Sequence, residues 1–312
     1  MTTHDPERRR FLEGLGGLAL AAWLPSIKSA RDPGNLVLKP IPVSGERLPA
    51  IGMGSWITFN VPPMTDARKR RVEVLRALFD SGGHLVDSSP MYGLSESTIG
   101  YCLEQIGGRK PLFSATKVWV FTRVAGIGQM NLSAKLWGLP GFDLMQVHNM
   151  LDWEAHLPTL IEWKGEKRIR YIGITTSHGR RHDAMEEVIR TQPAFDFVQF
   201  SYSLADREVE GRLLPAAADR GKAVIINRPF RTGELFELVK GKPLPSWAGE
   251  IGCSSWSQFF LKFVISHPAV TCAIPATSRV DHMRENMQAL REPLPDAAMR
   301  RRMVQYFDSV LT

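Results

Sequence analysis

The sequence is poor in cysteine. Only three of its 312 residues are cysteines, Cys102, Cys253 and Cys272, and each lies in an apolar stretch. An odd number of cysteines in such surroundings argues against a disulfide framework. We therefore expect three buried thiols.

Long hydrophobic runs and blocks of like charge are also missing after residue 30. No later apolar run reaches the roughly 20 residues that a membrane-spanning helix needs. The 39 Lys and Arg residues and 32 Asp and Glu residues give a net charge of +7, but they are spread along the chain without a polybasic block or interleaved aromatic residues. This pattern argues against a nucleic-acid partner. A small anionic ligand is the simpler explanation of the positive charge.

The first 30 residues differ from the rest. In the segment ERRRFLEGLGGLALAAWLP a run of arginines precedes a short, mildly hydrophobic stretch. The pair Arg8-Arg9, followed by Phe11 and Leu12, resembles the twin-arginine motif of exported proteins. It predicts a signal peptide over residues 1–30, a partnership with the twin-arginine translocation machinery during export, and a periplasmic mature protein. The alternative is a basic amphipathic helix on a cytoplasmic protein.

The remaining residues, 31–312, alternate eight short apolar runs with longer amphipathic ones. The runs are AIGMGSW, HLVDSS, PLFSATKV, FDLMQVHNM, RYIGITTS, FDFVQFSYS, KAVIINRPF and VTCAIPATS. Near-continuous apolar runs are typical of strands buried on both faces of a parallel sheet, and several segments between them end in glycine, as helices do. Eight βα units in about 280 residues predict an α/β protein with a single (β/α)8 TIM barrel. Ahead of the first run, NLVLKPIPVSGERLPA predicts a β-hairpin that covers the bottom of the barrel.

Polar residues stand at or just beyond the C-terminal ends of these runs. They are Asp87, Lys117, His148, Thr175 and Gln199. Barrel enzymes place their active sites at this edge of the sheet. We therefore expect the five side chains to converge at the mouth of the barrel.

The loop after the second run places Tyr92 five residues after Asp87. A tyrosine, whose pKa is ordinarily about 10, could donate a proton near neutral pH if a cation such as Lys117 lowered that pKa. Asp87 would keep the lysine charged in a partly dry pocket, and His148 would hydrogen-bond and orient a carbonyl oxygen. Taken singly, each residue has an ordinary structural explanation, such as a helix cap or a core imidazole. Together they predict a site that protonates a carbonyl oxygen as hydride reaches its carbon.

These motifs make the sequence resemble the aldo-keto reductase family over nearly the whole mature chain. The matching segments are GMGSW, residues 87–96 ending in MYGLSE, ATK, DLMQVH, IGITT, VQFSYS and IPATSRVDHMREN. The resemblance implies an NADPH-dependent oxidoreductase that reduces an aldehyde or ketone to an alcohol. It implies that Tyr92 is the general acid, that Lys117 and Asp87 tune it, and that His148 orients the substrate.

The resemblance also implies where NADP(H) binds. The family binds the cofactor without a glycine-rich Rossmann loop, and no G-x-G-x-x-G follows the first apolar run here. Trp56 and Trp119 would line the apolar substrate pocket, and Ser278 and Arg279 would hold the 2′-phosphate of the adenosine, since an arginine fork suits a phosphate. The positions implied to contact the cofactor are Ser55, Trp56, Thr175, Thr176, Gln199, Asn227, Ser278, Arg279, Glu285 and Asn286.

The sequence departs from the family pattern at two places. Thr175 and Thr176 stand where the family usually has a Ser-Asn pair, and Asn227 stands where a tyrosine commonly stacks on the nicotinamide. A second interpretation therefore stays open, an exported NADP(H)-binding or sensing subunit that keeps the scaffold with little turnover. The histidines show no paired ligand spacing, so we expect no metal site. We expect a soluble monomer.

Overall fold

The computed structural model describes residues 36–108 and 111–311. The predicted signal peptide over residues 1–30, and its boundary with the barrel, lie outside these described residues. Within them, no helix has the length and apolar character needed to cross a membrane. Cys102, Cys253 and Cys272 are buried free thiols, as expected.

The described chain begins with an antiparallel hairpin of β1 (Leu38–Pro40) and β2 (Arg47–Pro49). Gly45 in its turn has a φ of +74°, which glycine adopts without strain. Ile41 and Leu48 of this hairpin pack into an apolar cluster at the N-terminal end of the barrel interior. The predicted hairpin at the barrel bottom is therefore confirmed.

Eight parallel strands follow, one from each predicted apolar run. They are β3 (Met53–Gly54), β4 (Leu85–Asp87), β5 (Phe113–Val118), β6 (Phe142–Val147), β7 (Ile169–Thr175), β8 (Phe197–Ser201), β9 (Ala223–Asn227) and β10 (Cys272–Ala273). Each strand pairs with the next in chain order. Parallel bridges of Ile51 with Ala273 and of Gly54 with Ala276 join the first strand to the last. The predicted (β/α)8 barrel is confirmed.

Helices connect and cover the strands. They are α1 (Asp66–Asp80), α2 (Ser95–Gln105), α3 (Arg123–Trp137), α4 (Trp153–Gly165), α5 (His182–Thr191), α6 (Leu213–Asp219), α7 (Glu234–Leu238), α8 (Trp256–Ile265), α9 (Val280–Gln288) and α10 (Ala297–Leu311). Side-chain caps set some of their starts: the Thr65 hydroxyl accepts from the Arg68 amide at α1, and the Ser255 hydroxyl accepts from the Gln258 amide at α8.

Alternation along the strands divides the barrel interior into an apolar and a polar layer. Successive strand residues point to opposite faces of the sheet, so residues two or four apart share a face. The apolar cluster next to the hairpin includes Leu85, Phe113, Leu144, Tyr171 and Phe197. Two or four positions further along the same strands stand Asp87, Lys117, Gln146, Thr175 and Gln199. The polar layer therefore lies at the C-terminal mouth, where β-strand geometry brings distant segments together.

Candidate active site

A cavity of about 780 Å³ opens at the C-terminal end of the barrel. This volume falls within the range of about 300–1,000 Å³ that is usual for small-molecule sites. Nine of the predicted site residues line it: Ser55, Trp56, Asp87, Tyr92, His148, Thr175, Thr176, Gln199 and Asn227. The predicted convergence of the strand ends is therefore observed.

Lys117 and Asp87 form a buried ion pair at the wall of the cavity, which Asp87 lines. The Lys117 Nζ lies 2.5 Å from Asp87 Oδ1 and also donates to the Ser88 carbonyl at 2.8 Å. The other carboxylate oxygen accepts from the amide groups of Gln146 and Gln199, at 2.9 and 3.1 Å. Burial lowers the pKa of Lys117, but the Asp87 carboxylate and Tyr92 raise it by more, so it lies above its ordinary value. The lysine therefore stays charged at neutral pH.

Tyr92 lies beside this ion pair and also lines the cavity. It ends a short 3-10 turn, Pro90–Tyr92, and its ring centroid lies 5.2 Å from the Lys117 Nζ. Burial raises the pKa of the phenol above its ordinary value, and the Lys117 ammonium offsets this only in part. The expected net lowering of the pKa is therefore wrong, because the loss of water around a phenolate outweighs the nearby cation. The phenol keeps its proton throughout the neutral range, as a proton donor must.

His148 faces the Tyr92 ring edge-on, with ring centroids 5.6 Å apart. Burial and the Lys117 ammonium hold the pKa of His148 well below its usual range, so the imidazole is neutral. The Ser89 Oγ lies 2.8 Å from its Nδ1. Trp119, at 39% exposure, lies near the same imidazole with ring centroids 6.5 Å apart, at the edge of the site.

Hydrogen bonds fix three of the residues expected to hold the nicotinamide. The Thr175 hydroxyl accepts from the Asn149 amide at 3.0 Å. The Asn227 side chain donates to the Thr176 carbonyl at 2.9 Å and accepts from the Ser201 hydroxyl at 2.7 Å. The position where the family commonly has an aromatic ring is thus a fixed polar amide in this chain.

Three arginines, Arg180, Arg181 and Arg228, also line the cavity. Arg181 donates to the Asn149 carbonyl at 2.9 Å, and Arg228 donates to the His178 Nε2 at 2.7 Å. Burial, with Arg228 and Arg180, lowers the pKa of His178, which leaves this acceptor neutral. Since these acceptors carry no negative charge, the arginines make this part of the cavity wall cationic.

The residues expected at the adenosine end do not line the cavity. Ser278 and Arg279 precede α9, and Glu285 and Asn286 lie on it. Arg279 pairs with Asp281 two residues later, with its Nε 3.0 Å from Oδ1. The Ser278 carbonyl accepts from Arg71 at 3.2 Å.

Sequence reasoning missed two kinds of residue at this site. Gln146 could have been found from strand alternation, because it is a polar residue between Leu144 and His148 on the inward face. Gly173 makes room for it, since a Cβ there would lie 2.7 Å from the Gln146 Cγ. The arginines were signalled only by the positions of SHGRRHD and RPFR, the segments that follow β7 and β9.

No group of three or more His, Cys, Asp or Glu side chains is arranged to hold a metal ion within residues 36–108 and 111–311. The polar atoms of the site are instead the phenol, ammonium, imidazole and amide groups described above. This donor set suits proton transfer and hydrogen bonding to a carbonyl oxygen.

Both the sequence and the fold of the chain resemble those of known proteins. A family model described as the aldo/keto reductase family matches residues 50–302. Aldo-keto reductase YhdN of Bacillus subtilis is 27% identical over 206 residues, which cover 60% of this chain and 61% of that protein. The NADH-specific methylglyoxal reductase of Escherichia coli is 27% identical over 245 residues, which cover 67% of this chain and 72% of that protein. A crystal structure of a Klebsiella pneumoniae aldo-keto reductase in complex with NADPH shares the fold, with a TM-score of 0.72 at 22% identity. The match covers 87% of this chain and 96% of that one.

Proposed function

The chain belongs to the aldo/keto reductase family, and we propose that it is an NADP(H)-dependent oxidoreductase that reduces an aldehyde or ketone to an alcohol. One observation carries the proposal. Tyr92 and His148 face the same cavity, and the ammonium of the buried Lys117–Asp87 ion pair lies 5.2 Å from the centroid of the Tyr92 ring. A protonated phenol can donate its proton to a carbonyl oxygen that gains negative charge, and a fixed cation beside the phenol stabilises the phenolate that forms.

The roles of the side chains follow from their charges. When bound, a nicotinamide cofactor supplies the hydride. Tyr92 donates its proton to the carbonyl oxygen, and the Lys117 ammonium stabilises the phenolate that remains. Asp87 fixes the lysine and is itself held by Gln146 and Gln199. The neutral His148 orients the carbonyl oxygen by a hydrogen bond.

The cavity fits a cofactor that carries phosphates. Arg180, Arg181 and Arg228 present cationic groups to it, and arginine forks pair well with phosphate oxygens. The volume of about 780 Å³ leaves room for a large ligand. The proposed preference for NADP(H) over NAD(H) rests on Ser278 and Arg279. One relative is named as NADH-specific and one structural neighbour contains NADPH, so this preference has to be measured directly.

We also propose that residues 1–30 direct the protein to the periplasm. The support is the pair Arg8-Arg9 ahead of a mildly hydrophobic run. The twin-arginine route carries folded proteins, so the cofactor could be loaded before export.

Steady-state oxidation of NADPH and of NADH by the purified protein, with a panel of aldehydes and ketones, tests the proposed function. We expect carbonyl-dependent oxidation, faster with NADPH at equal concentrations. Tight nucleotide binding without turnover of any carbonyl would overturn the reductase proposal. That result would favour a binding or sensing subunit, an alternative that the two threonines and Asn227 leave open.

A further inference from the structure

The imidazole of His148 can donate a hydrogen bond from only one of its two nitrogens. The side chain is 5% exposed, and burial together with the Lys117 ammonium holds its pKa well below the usual range. In a neutral imidazole one ring nitrogen carries the proton and the other is an acceptor. The tautomer of His148 therefore decides which nitrogen can donate to a bound molecule.

Ser89 contacts one of these two nitrogens. Its Oγ lies 2.8 Å from the His148 Nδ1, and both side chains are buried. Ser89 also caps the 3-10 turn that ends at Tyr92, where its Oγ accepts from the Met91 amide at 3.2 Å. A hydroxyl has one proton to donate and accepts through its lone pairs. With the Met91 amide already donating to Oγ, the Ser89 proton is free to point at Nδ1.

The opposite tautomer would satisfy the same atoms less well. An Nδ1–H group would donate to an oxygen that already accepts from Met91. The Ser89 proton would then have no acceptor among the contacts described for this residue. A buried donor without an acceptor is unfavourable, so the hydrogen bonding at Ser89 favours an unprotonated Nδ1.

We propose that Ser89 is a positioning residue that holds His148 in the Nε2–H tautomer, so that the imidazole donates a hydrogen bond to the carbonyl oxygen. The consequence for catalysis rests on the proposed reductase function, whereas the state of the ring does not. Ser89 belongs to the same short segment as Asp87 and Tyr92. This segment thus supplies the counter-ion of the lysine, the hydroxyl that fixes the tautomer of the imidazole, and the proton donor.

The tautomer can be measured without any turnover. In the full chain labelled with ¹⁵N-histidine, two-bond ¹H–¹⁵N correlations distinguish the two neutral forms, and the signals that disappear in His148→Gln identify His148. We expect the Nε2–H form in the parent and in Ser89→Thr, and a shift towards the Nδ1–H form in Ser89→Ala. Ser88→Ala removes the adjacent buried hydroxyl, which accepts from Ser55, and should leave the tautomer unchanged. An Nδ1–H form in the parent would overturn the proposal even if Ser89→Ala did not fold, and so would an unchanged tautomer in folded Ser89→Ala.

Kinetics give a second, separate measurement. Loss of one oriented hydrogen bond should lower kcat/KM of Ser89→Ala by about tenfold, mainly through a higher KM for the carbonyl. NADPH affinity should stay the same, and Ser89→Thr should remain within about threefold of the parent. Equal KM values for parent and Ser89→Ala would refute the role in catalysis. If no variant and no parent turned over any carbonyl while NMR showed the expected tautomers, the proposed function would fail and the effect of Ser89 on the imidazole would stand.

Discussion

The ammonium of Lys117 lies 2.5 Å from the Asp87 carboxylate, and the two side chains are 0% and 2% exposed. Charges this deeply buried need every polar atom satisfied. Asp87 meets this condition because Lys117 occupies one oxygen and the Gln146 and Gln199 amides donate to the other. The ion pair is therefore a structural element of the barrel as well as part of the site.

Removing only one partner of this pair should be destabilising. Lys117→Met leaves the Asp87 charge buried without a cation, and such a change typically costs about 3–5 kcal/mol in the free energy of unfolding. Adding Asp87→Asn removes the uncompensated charge, so the double variant should be more stable than Lys117→Met alone. Urea unfolding of the parent, Lys117→Met, Asp87→Asn and the double variant measures the coupling between the two side chains. Additive losses in the double variant would contradict the idea that the pair acts as one unit.

Tyr92→Phe should abolish the proton donor while keeping the ring and its packing. Loss of a general acid typically lowers the rate by about 10²–10⁴-fold. Single-turnover oxidation of bound NADPH at saturating aldehyde measures the effect, and nucleotide affinity is the control that should not change. Combining it with Lys117→Met should be scarcely worse than either change alone, because both act on the same proton. A rate for Tyr92→Phe within about twofold of the parent would remove Tyr92 from this role.

The pairing of Arg279 with Asp281 leads to a two-sided prediction about cofactor choice. Arg279→Ala should shrink the preference for NADP⁺ over NAD⁺ by about tenfold, because a charged contact to the 2′-phosphate is lost. Asp281→Asn should widen the preference, because Arg279 no longer has a competing carboxylate. Calorimetric titration of the parent and both variants with NADP⁺ and with NAD⁺ measures the ratio of the two affinities. Unchanged ratios in both variants would place the 2′-phosphate elsewhere.

Export should depend on the arginine pair itself. The double variant Arg8→Lys, Arg9→Lys keeps the positive charge but should remain in the cytoplasm, because the pair is read by a receptor rather than as bulk charge. Cell fractionation followed by immunodetection measures the distribution. Changing the neighbouring Arg10 to Lys is the matched control and should leave export intact. Periplasmic accumulation of the double variant would refute the signal assignment.

His267 should weaken the fold in mild acid. Burial and the nearby Arg300 lower its pKa from 6.5 to about 4, and its Nδ1 accepts from the Ala269 amide. Between these two values the unfolded chain binds the proton more readily than the folded one. Stability is therefore full above about pH 6.5 and falls as the pH drops towards about 4.

The substitution His267→Asn keeps an acceptor for the Ala269 amide and removes the titration. Urea unfolding at about pH 7 and about pH 4 should show a smaller loss of stability for this variant than for the parent. Identical losses would mean that other histidines account for the acid sensitivity, such as His84 and His148, whose pKa values burial also lowers.

The amino-acid sequence alone determined the architecture and indicated the candidate reactive groups. Eight apolar runs predicted eight strands, and the polar residues at their ends predicted the side of the barrel on which the cavity opens. Asp87 and Lys117 could be predicted because strand periodicity is a local property, and Tyr92 and His148 because they follow strand ends closely in the sequence. Within each strand, alternation alone decides which side chains point into the barrel near its mouth.

Only the tertiary structure decided how those groups are held and charged. Gln146 and Gln199 reach Asp87 from 59 and 112 residues away, and Ser89 reaches His148 across 59 residues, separations that no local pattern specifies. The net direction of the Tyr92 pKa depends on how completely the surrounding loops exclude water, which is a property of packing. The cationic wall likewise arises because the sheet places β7 and β9 on either side of β8, so that the loops after them meet.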